Sequence, residues 1–283
     1  MSAGSRLLLL GLRGSGKTTY LAALWHLLEA NETRSALTLD SLQPDRGYLN
    51  RIRNSWLAVE EVGRTPIRTA ESVTLALREQ STEKRVEITI PDLSGESFRL
   101  QWSMRKATRA YSDYVNECVG VLLFVHPDAV RKIPLIAPRN GSQVGPSVEE
   151  IRPWTPEETP TQVQLVELIQ FVLLLRKLAD PLRIAIIISA WDLIKDPMLP
   201  AAWLDSRLPL LSQYVRANPQ ELEFRAYGVS ALGGDLKKDR EKLLSQPMPS
   251  LRAWILERAL EADGDLTAPL RFVLRLGMNS VAA

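Results

Sequence analysis

Apolar residues occur along the chain either in short unbroken runs or at helical spacing. The runs at 7–10 and 119–125 have the length of strands that are buried on both faces of a parallel sheet. Spacings of three and four residues predict a helix over Lys17–Ala30, with one face formed by Leu21, Leu24, Trp25 and Leu28. Strands and helices alternate in this way through most of the chain, which indicates a mostly parallel sheet covered by helices on both faces.

The remaining elements complete this α/β pattern. Further strands are predicted at 36–39, 72–78, 85–90, 183–188 and 222–229, and further helices at 45–62, 98–117, 161–179, 200–217, 250–260 and 266–276. The strands at 72–78 and 85–90 flank a short polar turn, so we expect them to pair antiparallel. We expect a three-layer sandwich in which six of these strands form a mostly parallel sheet with one antiparallel edge strand.

A glycine-rich turn joins the first strand to the first helix and has the spacing Gly11-x-x-x-x-Gly16-Lys17-Thr18. This spacing is that of a phosphate-binding loop of the P-loop NTPases, in which glycines let backbone amides converge on phosphate oxygens. Lys17 is expected to reach the β and γ phosphates, and the Thr18 hydroxyl to hold Mg²⁺. The residues predicted to bind the phosphates are Gly11, Gly14, Ser15, Gly16, Lys17, Thr18 and Thr19.

Three further motifs follow predicted strands. Asp92 and Gly95 come after the strand at 85–90, in the Asp-x-x-Gly arrangement with which nucleoside triphosphatases hold the Mg²⁺ water shell and sense the γ phosphate. Asp192 follows the strand at 183–188, and Ser230-Ala231-Leu232 follows the last predicted strand. Carboxyl ends of parallel strands share one edge of a sheet, so we expect phosphates at the first motif and a base at the other two. Asp192 as a turn cap, and Ser230-Ala231 as a plain loop, remain alternatives.

The order of these motifs resembles the TRAFAC class of P-loop GTPases, which contains the Ras-like and Arf-like proteins, over roughly residues 5–261. The stretches Gly14-Ser-Gly-Lys-Thr-Thr-Tyr-Leu-Ala-Ala-Leu-Trp and Asp92-Leu-Ser-Gly-Glu-Ser-Phe are similar to the bacterial double-GTPase group of conflict and defence systems. The resemblance implies that GTP or GDP is bound with Mg²⁺. It implies that Asp192 accepts the two donors of the guanine edge, and that the Ala231 amide contacts the guanine carbonyl oxygen.

The resemblance also implies a switch threonine, which is Thr69 with Thr65 as the alternative, and a Mg²⁺ set of Thr18, Thr69 and Asp92. This chain departs from the family at three places. Ser189-Ala190-Trp191-Asp192 lacks the lysine that packs on the base, for which Trp191 is an alternative surface. Glu96 replaces the glutamine that orients water, so slow hydrolysis is expected. Arg13 lies inside the phosphate loop, either as an arginine finger in cis or facing solvent or a partner.

Composition sets the broad class. The 283 residues are 45% hydrophobic and 24% charged with a net charge of +2, which is typical of a globular chain and argues against direct nucleic-acid binding. The single cysteine, Cys118, is expected to be buried, and the short apolar run near the start argues against a signal peptide, so a cytoplasmic location is expected. No transmembrane segment is predicted.

Seven of the 18 prolines lie between Pro127 and Pro160. The expected organisation is a GTPase domain at 1–261 with a proline-rich insert at 127–160, followed by a tail at 262–283 with one short helix. We expect protein partners to bind through the switch loops and this insert.

The leading hypothesis is a GTP-binding, slowly hydrolysing switch whose catalytic residues are Lys17, Thr69, Gly95, Glu96 and Arg13. A scaffold subunit that binds nucleotide without turnover is the second hypothesis, favoured by Glu96 and the insert. A P-loop ATPase or small-molecule kinase is the third. A kinase would have no need of Asp-x-x-Gly followed by a base-reading strand end.

Overall fold

The computed structural model describes residues 4–40, 46–61, 72–91, 101–132, 158–258 and 261–277. The strands are β1 (Ser5–Leu10), β2 (Leu37–Leu39), β3 (Ser72–Glu79), β4 (Arg85–Pro91), β5 (Cys118–Val125), β6 (Leu182–Ser189), β7 (Leu222–Ser230) and β8 (Trp254–Leu256). The helices are α1 (Lys17–Ala30), α2 (Gly47–Leu57), α3 (Arg109–Val115), α4 (Thr161–Leu175), α5 (Pro200–Arg207), α6 (Pro209–Ala217), α7 (Arg240–Leu244) and α8 (Ala268–Leu274).

These strands form one sheet in the order β2-β3-β4-β1-β5-β6-β7-β8. The neighbours from β4 to β7 pair in parallel, whereas β3 pairs antiparallel with both β2 and β4, and β8 pairs antiparallel with β7. The predicted fold class and the antiparallel pair β3–β4 are confirmed. The sheet has eight strands instead of six, and two of them, β3 and β8, run against the rest.

The central strands separate two hydrophobic cores. Leu7 and Leu9 of β1 pack with α1, α2 and α8 on one face, and Leu8 and Leu10 pack with α3 to α6 on the other. Each of these leucines is at most 1% exposed, and full burial of such a side chain stabilises by about 1.5–3 kcal/mol. Burial on both faces explains why β1 is an unbroken apolar run, and it holds the turn that follows β1 on a rigid strand.

The helix predicted at 250–260 is wrong. Residues Pro249–Arg252 form a 3₁₀ turn, and Trp254–Leu256 form strand β8 at the edge of the sheet. Trp254 packs in one core and Ile255 in the other, which is the alternation of a strand. Pairing with β7 satisfies backbone groups at that edge, and a helix here would leave them unpaired.

Two other predicted helices are interrupted. The helix at 200–217 divides into α5 and α6 at Pro209, because proline lacks the N–H that would continue α5 and clashes with the preceding turn. In the helix predicted at 98–117, residues 101–104 are helical, and Arg105 then adopts φ +50°. A new helix, α3, begins after Thr108, whose hydroxyl accepts a hydrogen bond from the Tyr111 amide at 3.2 Å.

Helix α8 lies in the segment that the sequence analysis treats as a tail, and it packs on the sheet. A Cβ at Gly120 of β5 would lie 2.6 Å from the Val273 Cβ, so the glycine permits this close approach. Arg183 of β6 donates to the Val273 carbonyl at 2.7 Å.

Cys118 is buried and is not in a disulfide. Among the helices of the described ranges, none has the length and apolar character needed to cross a membrane.

Candidate nucleotide-binding site

The glycine-rich turn after β1 closes tightly on its own backbone and on the neighbouring strand. A Cβ at Gly11 would lie 2.7 Å from the Ser15 hydroxyl and 2.8 Å from the Phe124 carbonyl oxygen, so a larger residue does not fit. Near the crest of the turn, a Cβ at Gly14 meets no described atom within 4 Å. The turn is therefore packed at its base and open at its crest, which leaves room for an anion beside the backbone.

Lys17 bends back over this turn. Its Nζ donates to the carbonyl oxygens of Gly11 at 2.7 Å and Leu12 at 3.2 Å, and to the Ser15 hydroxyl at 3.3 Å. The lysine is only 6% exposed, so its positive charge lies at the turn and not in solvent. This placement puts a cation at the turn, and its role beside phosphates stays a prediction.

The first turn of α1 points its amides toward the same place. Gly16 is the N-cap with φ +89°, and no side chain caps the helix or places an acid in its first turn. The first N–H groups of a helix have no partner within it, and the helix dipole adds partial positive charge there. This helix end therefore has the electrostatics of an anion site.

Thr18 and Thr19 lie in that first turn, and both are partly exposed. A hydroxyl oxygen at this position suits Mg²⁺, a hard cation that usually takes few protein ligands together with phosphate oxygens and water. The described residues hold no cluster of three or more His, Cys, Asp or Glu side chains suited to a metal. The donor chemistry of Thr18 therefore fits a metal that takes other ligands from phosphate and water.

The carboxyl ends of β6 and β7 bring Asp192 and Ser230 together. The Ser230 hydroxyl donates to Oδ1 of Asp192 at 2.6 Å and accepts from the Gly233 amide at 3.1 Å. Ser230 is fully buried, whereas Asp192 remains partly exposed. The hydrogen bond therefore fixes one carboxylate oxygen and orients the other.

Trp191 does not offer the packing surface for a base that its place in the sequence suggests. Its ring is 5% exposed and packs in the core, 6.5 Å from the ring of Trp203. A Cβ at Gly228 would lie 2.3 Å from the Trp191 ring, so the indole sits directly on this glycine of β7. The preceding Ala190 adopts φ +47°, and this turn directs Trp191 inward.

Ser189 connects the glycine-rich turn to the loop that carries Asp192. A Cβ at Gly16 would lie 2.8 Å from the Ser189 Cβ, and the Ser189 hydroxyl donates to the Val125 carbonyl at 3.2 Å. The start of α1 thus lies against the end of β6, three residues before Asp192. Ser189 is the first residue of the motif Ser189-Ala190-Trp191-Asp192, and the sequence alone indicates no role for it.

Ala231 and Leu232 follow Ser230 in the loop after β7. The Ala231 carbonyl accepts a hydrogen bond from the Trp56 indole at 2.7 Å. Ala231 is 8% exposed, and Leu232 is partly buried against the core. No sequence pattern links Trp56 to this loop, since 175 residues separate them.

Arg13 is exposed near the crest of the loop. It lines a cavity of about 230 Å³ between the loop and the start of α4, together with Leu12, Phe124, His126 and Arg131. The lining of this cavity combines apolar side chains with two arginines.

Five predicted site residues, Thr69, Thr65, Asp92, Gly95 and Glu96, lie outside the described residues. The described residues therefore contribute the phosphate loop, the first turn of α1 and the base-side residues.

Comparison with known protein families identifies the family of this chain. The family model described as Double-GTPase 1 matches residues 8–273, which is most of the chain. No curated protein matches the sequence.

Solved structures with a similar fold include two proteins at low identity. One is the bacterial selenocysteine-specific elongation factor EF-Sec, at 12% identity and a TM-score of 0.38, covering 85% of this chain and 27% of that one. The other is the signal recognition particle receptor SRb-GTP/SRX complex from Chaetomium thermophilum, at 17% identity and a TM-score of 0.39, covering 86% and 96%. The chain thus spans about a quarter of the length of the elongation factor.

Proposed function

The chain belongs to the Double-GTPase 1 family, and from this premise we propose that it is a GTP-binding protein that hydrolyses GTP slowly and acts as a switch for a protein partner. The main support is the position of the phosphate loop and of Asp192 at one edge of the sheet, joined by the contact of Gly16 with Ser189. That edge lies beyond the carboxyl ends of parallel strands, where ligands of open α/β sheets bind.

The phosphates would bind across the open crest of the loop. Amides of the loop and of the first turn of α1 would donate to phosphate oxygens, and Lys17 would exchange its loop carbonyls for the phosphates. Thr18 would hold Mg²⁺, which supplies neutralising charge at the phosphates. Thr69, Asp92 and Gly95 are proposed for the metal and the γ phosphate from the sequence alone.

The base would bind at Asp192. A carboxylate accepts from the two donors on the guanine edge, and adenine has no such pair of donors at the corresponding positions. The hydrogen bond from Ser230 holds Oδ1 of this carboxylate in place before the nucleotide arrives. Guanine selectivity is thus supported although position 190 is alanine and not lysine.

Exchange of Asp192 for asparagine tests base recognition with little change in shape. Asp192→Asn keeps an oxygen that accepts from Ser230, so the loop is expected to stay folded. The amide no longer matches guanine but matches xanthine, which presents a carbonyl where guanine has its amino group. We expect GDP affinity to fall about 10- to 100-fold, with a gain for xanthosine diphosphate, in titrations with Mg²⁺. Equal binding of ADP and GDP by the unaltered protein would contradict guanine recognition.

Phosphate release separates the switch from the scaffold. With Glu96 in place of glutamine, we expect a turnover on the order of 10⁻³ s⁻¹ or less, below the roughly 10⁻² s⁻¹ of GTPases that have both the glutamine and an arginine in cis. Glu96→Gln should raise this rate if the chain is a restrained switch. No phosphate release with either residue, combined with tight GTP binding, would favour the scaffold.

Segments 62–71, 92–100 and 127–160 are proposed for partner contact on sequence grounds. They contain the candidate switch threonines, the Asp-x-x-Gly motif and the proline-rich insert. If the switch proposal holds, a partner should bind the GTP-loaded protein and the GDP-loaded protein with different affinities.

A further inference from the structure

The end of α2 meets the loop that follows β7. Trp56 is fully buried, and its indole Nε1 donates to the carbonyl oxygen of Ala231 at 2.7 Å. A buried carbonyl without a partner is destabilising, so this hydrogen bond constrains the loop. Trp56 thus connects a helix near the start of the chain to the loop proposed to contact the base.

The indole of Trp56 is itself held on several sides. The Arg252 guanidinium lies 5.5 Å from its ring centroid, and the His26 ring lies 5.0 Å away, tilted by 36°. Arg252 is 3% exposed and donates to the Leu57 carbonyl at 3.2 Å, where α2 ends. Burial lowers the pKa of Arg252. These contacts restrict the rotation of the indole ring, so its N–H stays directed at the Ala231 carbonyl.

The loop after β7 is also fixed at its two ends. Ser230 is tied to Asp192, and the Gly233 amide donates to the Ser230 hydroxyl. Gly233 adopts φ +88°, and a Cβ there would lie 2.6 Å from the Arg252 carbonyl oxygen. Ala231, between these two ends, is held by Trp56.

We propose that Trp56 is a positioning residue for guanine recognition. By holding the Ala231 carbonyl, it fixes the peptide plane between Ala231 and Leu232. This limits the rotation of Ala231, and so the direction in which its own amide meets the oxygen at position 6 of the base. This inference rests on the proposed function, since it assumes that Ala231 and Asp192 face guanine. Position 190 lacks the lysine of the family, so the base has one contact fewer, and binding depends more on this loop.

Trp56→Phe tests the role of the indole N–H, because phenylalanine keeps an aromatic ring beside His26 and Arg252. Trp25→Phe is its matched control. Trp25 is 1% exposed, and its indole donates to Asn50 of α2 at 3.1 Å, away from the loop after β7. Both variants lose one indole hydrogen bond at α2, and we expect similar falls in melting temperature.

Only Trp56→Phe should change nucleotide recognition. We expect a loss of GDP affinity of about tenfold, the size of one hydrogen bond, and a smaller preference for GDP over ADP. The loss should persist with inosine diphosphate, which keeps the oxygen at position 6. It should vanish with 2-aminopurine riboside diphosphate, which lacks that oxygen. A Trp56→Phe variant that binds all four nucleotides as Trp25→Phe does would overturn the inference.

Two further results keep the outcomes separate. If Asp192→Asn leaves the preference for GDP unchanged, the proposed base site itself fails, whatever Trp56→Phe does. If Asp192→Asn shifts the preference and Trp56→Phe does not, only the positioning role fails. Should Trp56→Phe not fold, Arg252→Met removes the cation that lies over the indole and the hydrogen bond to the Leu57 carbonyl. Its expected result is a weaker loss of GDP affinity with the same dependence on the oxygen at position 6, and unchanged GDP affinity would again overturn the inference.

Discussion

Gly228→Ala is expected to push Trp191 out of place and thereby to move Asp192. The added Cβ would lie 2.3 Å from Cδ2 and 2.7 Å from Cε2 and Cε3 of the indole. Carbon atoms pack best at about 3.5–4.0 Å, so the ring must retreat by roughly 1 Å. Trp203 lies near the Trp191 ring in the same core, and overpacking of this kind costs about 1–3 kcal/mol of stability.

The displaced ring should also weaken nucleotide binding, because Asp192 is the next residue. A shift of about 1 Å exceeds the range over which the 2.6 Å contact with Ser230 stays a good hydrogen bond. Loss of one hydrogen bond to a charged group costs about 1.5–3 kcal/mol, which corresponds to a fall of about 10- to 100-fold in GDP affinity. Urea unfolding measures the first effect, and titration with GDP measures the second.

Gly120→Ala is the matched control for this substitution. An added Cβ at Gly120 would lie 2.6 Å from the Val273 Cβ, so Gly120→Ala should lower the free energy of unfolding by a similar amount. Gly120 differs from Gly228 in its place in the sheet, because it pairs with Leu7, three residues before the end of β1. Trp191→Leu in the Gly228→Ala background should restore part of the stability by making room for the methyl group. If Gly228→Ala is destabilised like Gly120→Ala but keeps full GDP affinity, Trp191 does not position Asp192.

Two other predictions concern buried charged or titratable side chains. Lys17→Met keeps the aliphatic stem and removes the ammonium, so calorimetry should show a loss of at least about 100-fold in GDP affinity. Guanosine has no phosphate, so an equal loss of guanosine affinity would contradict a phosphate role. Burial lowers the pKa of His26, although Glu32 at 3.8 Å opposes this shift. As the pH falls below about 6.5, His26 is therefore protonated in the unfolded chain at a higher pH than in the folded chain. The free energy of unfolding should decrease over this range. His26→Gln should remove this part of the pH dependence in urea unfolding between pH 7.5 and 5.5, and an unchanged dependence would exclude His26 as its source.

Features whose determinants are close in sequence were predictable. The bounds of α1 match the predicted Lys17–Ala30, because its start is set by Gly16 and its buried face by residues three and four apart. The shape of the phosphate loop follows from glycines within six residues of one another. Its hydrogen bonds from Lys17 also remain within the loop.

Features that depend on distant neighbours were not predictable. The apolar residues near Ile255 fit a helix as well as a strand, and the free edge of β7 decides in favour of the strand. Trp191 is next to Asp192 in the sequence, which suggests contact with the base. The room provided by Gly228, 37 residues later, lets the ring turn into the core instead. Neither result follows from local propensity.

The two halves of the candidate site therefore differ in how substitutions should affect them. The phosphate half is built by consecutive residues, so changes that weaken it should touch the loop itself. On the base side, Asp192 depends on Ser230 and on the packing of Trp191, and Ala231 depends on Trp56. Because these supports come from separate segments, substitutions that never contact nucleotide should change the choice of base while leaving phosphate binding intact. The missing lysine at position 190 is then no argument against guanine recognition, since the carboxylate is oriented by the fold around it.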